Sequence, residues 1–206
     1  IVPASTFVAT HNIVHHGRMT ARFIDVERET YNMDPGQLEA AIGPRTRAVI
    51  PVHLMGLPAS MDPILEIASR YGLRIIEDSC ETMFARYGDG IVGSLGDVGT
   101  FSTYVAHLIV AGIGGFVTTN DDDLALRMRS FMNHGRDPIY LNIDADKDLA
   151  GDALHEVVRR RFSFISIGHN FRCTELEAAI GLAQLEEYEV IIARRREIAN
   201  QLTQNL

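Results

Sequence analysis

Lysine is almost absent from this chain. Of its 19 basic side chains in 206 residues, only Lys147 is a lysine and the rest are arginines. Lys147 lies in Asp144-Ala145-Asp146-Lys147-Asp148, where neighbouring carboxylates keep its ammonium protonated and poorly nucleophilic. Cysteine is scarce as well. Cys80 and Cys173 are too few for a disulfide framework or for a four-cysteine iron–sulfur cluster, and a reducing cytoplasm is the expected setting. No apolar run approaches the roughly 20 residues that a membrane-spanning helix requires. No basic run occurs and the formal net charge is -8, which weighs against nucleic acid as a partner. No internal repeat or low-complexity segment is found. No signal peptide precedes Ile1, and the chain opens without methionine and closes at Leu206 inside a helical pattern. A fragment of a longer protein is therefore expected.

What is present is ordinary globular composition, 46% hydrophobic and 22% charged, enough for one full core. Short apolar runs predict strands over residues 22–26, 48–53, 73–77, 98–103 and 115–119. Several of these are continuous rather than alternating, as in strands covered on both faces. Helical stretches fall between them. Asp34-Pro35-x-Gln37 reads as an N-cap with a capping-box partner, and Asp62-Pro63 repeats the cap-plus-proline device. Asn120 is expected to cap a helix over 121–132, and Thr174-x-x-Glu177 to open a long final helix. Residues 144–152 read as an acidic, solvated loop. The alternation predicts an α/β fold, a mostly parallel sheet with helices on both faces, and ligands beyond the carboxyl ends of the strands.

The residues just after strands are therefore the candidates for chemistry. Leu73-Arg74-Ile75-Ile76-Glu77-Asp78 ends in two carboxylates. One of them either holds a protonated ring nitrogen or serves as a helix cap or surface charge. In Thr100-Phe101-Ser102-Thr103-Tyr104-Val105-Ala106-His107, a hydroxyl at the strand end suits a phosphate. A histidine five residues later reaches the same pocket or is simply structural. Gly112-Ile113-Gly114-Gly115 is a flexible turn, not a phosphate loop with lysine and hydroxyl. Gly168-His169-Asn170-Phe171-Arg172 reads as an anion or sugar contact or as a plain turn. His11 and His15 have the i,i+4 spacing of a metal pair, but no glutamate completes a zinc-protease pattern and no metal is expected. Both cysteines read as small buried hydrophobes.

Taken in order, these pieces resemble the DegT/DnrJ/EryC1/StrS family of sugar aminotransferases, which are fold-type I pyridoxal-phosphate enzymes. The resemblance runs over nearly the whole chain. It includes Val2-Pro3-Ala4-Ser5-Thr6-Phe7, Asn32-Met33-Asp34-Pro35, Ile50-Pro51-Val52-His53, Ile76-Glu77-Asp78-Ser79-Cys80-Glu81 and Gly93-Ser94-x-Gly96-Asp97-x-Gly99-Thr100-Phe101-Ser102. It continues through His134-Gly135-Arg136, Gly168-x-Asn170-Phe171-Arg172 and Glu177-Ala178-Ala179-Ile180-Gly181. The family implies a three-layer α/β/α large domain. Residues 1–206 would be its central part, ending in the helix that leads toward a small C-terminal domain. It implies pyridoxal 5'-phosphate or pyridoxamine 5'-phosphate as cofactor. Phe7 would stack on the ring, Asp78 hold the ring nitrogen, Glu81 lie near the ring oxygen and Ser102 bind the phosphate. Asn170 would reach the phosphate of a neighbouring subunit, implying a homodimer with shared sites.

One position departs from the family. Its covalent-anchor lysine sits five residues after the phosphate serine, where this chain has His107. A histidine makes no stable imine but moves protons near neutral pH. The resemblance then points to the nucleotide-sugar 3-dehydratases, which hold pyridoxamine phosphate without a covalent tether. There the histidine removes a proton from the cofactor methylene and the C3 hydroxyl of a 4-keto-deoxysugar leaves. Gly135-Arg136-Asp137 and Cys80 also resemble that branch. Its iron–sulfur version is not expected with two cysteines; the glutamate-dependent version is. The alternatives are a sugar aminotransferase, and a non-catalytic member that binds a sugar nucleotide or regulates a partner.

Overall fold

In the computed structural model, which describes residues 1–141 and 144–206, the elements follow one another as β1 (Val2–Pro3), α1 (Val8–His16), β2 (Phe23–Ile24), α2 (Leu38–Ala41), β3 (Ala48–Val49), α3 (Met61–Tyr71) and β4 (Arg74–Asp78). Then come β5 (Arg86–Tyr87), β6 (Gly90–Ile91), β7 (Val98–Ser102), β8 (Gly115–Thr118), α4 (Asp122–Met132), α5 (Gly151–Arg160), α6 (Glu175–Glu186) and α7 (Tyr188–Asn205). They form two units, residues 1–118 with 175–206, and residues 119–174.

In the first unit the main sheet has the order β3-β4-β7-β8. The first three strands are parallel, because the connections containing helix α3 and the β5–β6 hairpin return the chain to the starting end of the strands each time. β8 is antiparallel to β7, since the link between them forms no helical crossover. Helix α3 owes its place to apolar spacing. Met61, Ile64, Ile67 and Ala68 are its buried residues, and they join Met33, Leu38, Val49 and Ile75 in the main core. Each such aliphatic side chain contributes about 1.5–3 kcal/mol on burial. Gly72, at φ 62°, ends the helix in the left-handed conformation that glycine adopts without strain.

Register decides which side chains share a face. Asp78 pairs with Thr100, and Ile76 with Val98. With a period of two, Ile76, Asp78, Thr100 and Ser102 lie on one face of the sheet, and Ile75, Glu77 and Phe101 on the other. Ile75 packs into the core with α3, while Asp78 meets α1 through a hydrogen bond from Thr10. Helices therefore cover both faces, the three-layer α/β/α arrangement with a mostly parallel sheet that the alternation predicts.

The second unit holds α4 and α5. Arg160 of α5 forks onto Asp137, with Nε 2.9 Å from Oδ2 and a terminal nitrogen 2.8 Å from Oδ1. The bidentate geometry and the Ile139 N–H, the larger influence, hold the Asp137 carboxyl below its usual range. Arg136 lies within 5.5–5.9 Å of the rings of Tyr140, Phe162 and Phe164.

Several helix boundaries differ from expectation. Asp121, not Asn120, caps α4, accepting the Leu124 N–H at 3.0 Å. Asp62 lies inside the first turn of α3, and Ser60 occupies its N-cap. Asp34 does cap, but onto a 3-10 turn, and Gln37 returns to its carboxylate rather than to its backbone. The final helix is two, broken at Glu187. Gly151 and Asp152 belong to α5 rather than to the acidic loop.

Candidate active site

Beneath the candidate carboxylate lies a fully buried pair. Glu77 and His53 have no exposed side-chain surface. The Glu77 carboxylate accepts the N–H groups of Gly93 (2.8 Å), Leu95 (2.7 Å) and Gly96 (2.7 Å), and meets His53 Nε2 at 3.1 Å. His53 Nδ1 accepts the Ala59 N–H at 3.0 Å, so the ring proton facing Glu77 sits on Nε2. Burial alone would push the Glu77 carboxyl up; the His53 and backbone donors outweigh it and bring it down. This network fixes the end of β4 and the turn at residues 93–96, one residue from Asp78.

Asp78 closes β4 half-buried. Its Oδ2 accepts the Thr10 hydroxyl at 2.6 Å, and Oδ1 accepts the Cys80 N–H at 3.3 Å. Phe7 sits at the N-cap of α1, one turn before Thr10, and is 74% exposed. Ser102 closes β7 on the same face as Asp78, and its Oγ accepts the Tyr104 N–H at 3.2 Å. An anionic oxygen, an open apolar ring and a hydroxyl thus border one face of the sheet at its carboxyl end. That donor set suits a protonated nitrogen ring carrying a phosphate. Cys80 is no nucleophile: burial, then the Asp78 carboxylate, pushes its thiol up to about 12.

His107 lies on the turn after β7, its N–H donating to the Tyr104 carbonyl at 2.9 Å. The ring is half-buried, and its Nδ1 is buried with no hydrogen-bond partner among the described residues. Its carbonyl accepts from Arg195 of α7 at 2.7 Å. His107 lines a cavity of about 430 Å³ with Glu81, Met55, Phe84, Arg195 and Arg196. Glu81 is tied there by the Met55 N–H at 2.7 Å. The first unit thus holds two groups, Phe7 and Thr10 of α1 with Asp78 at the end of β4, and Glu81 with His107 on the loops that follow β4 and β7. Asn170 belongs to the second unit, where it bridges to Asn133 and accepts from Arg172 Nε at 2.8 Å. His11 and His15 meet on α1, their Nε2 atoms 2.9 Å apart. Sequence reasoning passed over Thr10; the signal was its place three residues after Phe7 on a helix.

A model of the DegT/DnrJ/EryC1/StrS aminotransferase family matches residues 1–206. The chain is 41% identical over its whole length to the GDP-perosamine synthase of Caulobacter vibrioides, covering 50% of that protein. It is similar to the structure of a DegT DnrJ EryC1 StrS aminotransferase from Brucella abortus (TM-score 0.82, 33% identity, 98% of this chain and 51% of the other). It is also similar to the E. coli GDP-4-keto-6-deoxy-D-mannose-3-dehydratase with bound hydrated PLP (TM-score 0.83, 28% identity, 97% and 51%). The chain spans about half the length of the curated relatives it matches.

Proposed function

The chain belongs to the DegT/DnrJ/EryC1/StrS aminotransferase family, and from that footing we propose that it is part of a pyridoxamine-phosphate or pyridoxal-phosphate enzyme acting on a nucleotide-linked 4-keto-deoxysugar, with His107 as its base in a 3-dehydratase reaction. The observation that carries this reading is the residue five positions after Ser102, an imidazole where the family keeps a lysine, in a chain whose one lysine is Lys147. Names among the relatives, GDP-perosamine synthase and a GDP-4-keto-deoxymannose dehydratase, support the substrate class.

The residues of this site fit the cofactor. Asp78 offers an anion to the ring nitrogen, Phe7 an open ring to stack on, Ser102 a hydroxyl to the phosphate, and Glu81 an oxygen on the loop just beyond Asp78. When bound, the group supplies an amine and an electron-withdrawing ring. His107 holds and moves a proton: its Nδ1 is not committed to any bond within the described residues, and imidazole exchanges protons near neutral pH. Asn170 would complete the phosphate contact in a second copy, so the working form is a homodimer. One observation favours a second reading, amino transfer from glutamate to the keto sugar: the 41% identity with a GDP-perosamine synthase over the whole chain.

Ultraviolet–visible titration with both cofactor forms, followed by borohydride, tests the proposal. Pyridoxamine phosphate is expected to bind reversibly, and borohydride to fix no cofactor in the site. The His107→Asn variant should retain binding and lose exchange of the cofactor methylene protons with solvent. Retained exchange in that variant removes His107 as the base. Rapid amino transfer from glutamate would favour the second reading.

A further inference from the structure

Helix α1 buries a single residue, and that residue is polar. Thr10 is 5% exposed, while the other residues of the helix are half-buried or exposed. A buried hydroxyl costs stability unless it is bonded, and valine would fill the same space without that cost. The bond it makes is short and specific, 2.6 Å from Thr10 Oγ1 to Asp78 Oδ2, across 68 positions of sequence.

The direction of this contact follows from its chemistry. An ionised carboxylate only accepts, so the proton between the two oxygens is Thr10's. Thr10 has then spent its one donor, and the 2.8 Å contact between Thr6 Oγ1 and Thr10 Oγ1 runs from Thr6 to Thr10. Two hydroxyls line up toward one carboxylate oxygen. The other oxygen, Oδ1, accepts the longer bond from Cys80 N at 3.3 Å, and the weakly donating Cys80 thiol stands beside the same carboxylate. Thr10 also lies one turn after Phe7 on the same helix. The residue that orients the carboxylate is therefore mechanically joined to the residue that offers the stacking ring.

We infer that Thr10, supported by Thr6, is a positioning residue: it fixes the rotamer of Asp78 relative to Phe7 so that the open carboxylate oxygen meets the ring nitrogen of a bound pyridoxamine or pyridoxal phosphate. The inference rests on the cofactor reading above. A hydroxyl that merely anchored α1 to the sheet would affect every ligand of the site alike. One that acts through Asp78 affects only ligands with a ring nitrogen.

The full chain is titrated with pyridoxamine 5'-phosphate and with its 1-deaza analogue, in which a C–H replaces the ring nitrogen. Thr10→Val is expected to weaken pyridoxamine phosphate about tenfold and to leave the deaza analogue unchanged, and Thr10→Ser to bind both as the parent does. Equal weakening of both ligands, or of neither, overturns the inference. Should Thr10→Val not fold, Thr6→Val carries the test: a loss of about threefold confined to pyridoxamine phosphate is expected, and no such loss overturns it. A parent chain that binds neither ligand, or an Asp78→Asn variant that binds pyridoxamine phosphate unimpaired, removes the cofactor reading itself and this inference with it. Impaired Asp78→Asn beside unimpaired Thr10→Val removes the Thr10 role alone.

Discussion

Glu77 and Asp78 are consecutive carboxylates with opposite fates, because a strand points them to opposite faces. Asp78 faces α1, half-open. Glu77 faces inward, where three backbone N–H groups and His53 Nε2 surround it. The Glu77→Gln variant keeps the size but turns an amide N–H₂ toward N–H donors, leaving part of the cluster unpaired. A loss of about 3 kcal/mol is expected, lowering Tm by roughly 6–12 °C for a chain of this length. The sign with pH follows from the depressed carboxyl. A group whose folded pKa lies below its unfolded value, about 4.3 for glutamate, contributes fully above that value, and the contribution drains away as pH falls through the folded one. Urea midpoints of parent and variant should therefore differ by a constant amount from pH 7 to about pH 5 and converge below about pH 4. A gap that stays open in acid would show that shape, not charge, stabilises this site.

The pairing of elements explains what could be read in advance. Apolar runs such as Ala48-Val49-Ile50 and Ile75-Ile76 announced β3 and β4 because strands covered on both faces need no polar alternation. The candidates Asp78, Ser102 and His107 were legible because they close or follow such strands. Their partners were not: Thr10 and Asp78 stand 68 positions apart, and no local pattern encodes that bond. The break at Glu187 was equally hidden, since Leu185-Glu186-Glu187-Tyr188 contains neither glycine nor proline. Asn120 and Asp121 are both good caps, and only the direction of entry into α4 selects the second. A close crossing ties β7 to the Glu77 cluster. A Cβ on Gly99 would fall 2.0 Å from the Gly93 carbonyl oxygen, and Gly93 itself, at φ 87°, heads the turn that donates to Glu77. Gly99→Ala must push that turn away and is expected to cost about 2–3 kcal/mol by urea unfolding. Because both changes loosen the same turn, combining it with Glu77→Gln should cost less than the sum of the two. Strict additivity would mean that the turn does not transmit the strain.

For the molecule as a whole, the scarcity of lysine becomes a tool. Residues 144–150 form neither helix nor strand, and Lys147 is exposed there, preceding Asp148 at φ 63°. An irregular, exposed segment with no ladder hydrogen bonds to break opens locally at little cost and is where proteases enter native chains. Within residues 1–206 a lysine-specific protease should therefore cut once, after Lys147, separating residues 1–147 from 148–206. Every candidate cofactor residue except Asn170 stays on the first fragment. Lys147 is also the one side-chain amine among residues 1–206 that pyridoxal phosphate and borohydride can label. Mass spectrometry should then find any cofactor fixed within residues 1–206 on the peptide around Lys147, with a yield that Ser102→Ala leaves unchanged. Labelling that depended on Ser102 would count against the proposed roles of Ser102 and His107.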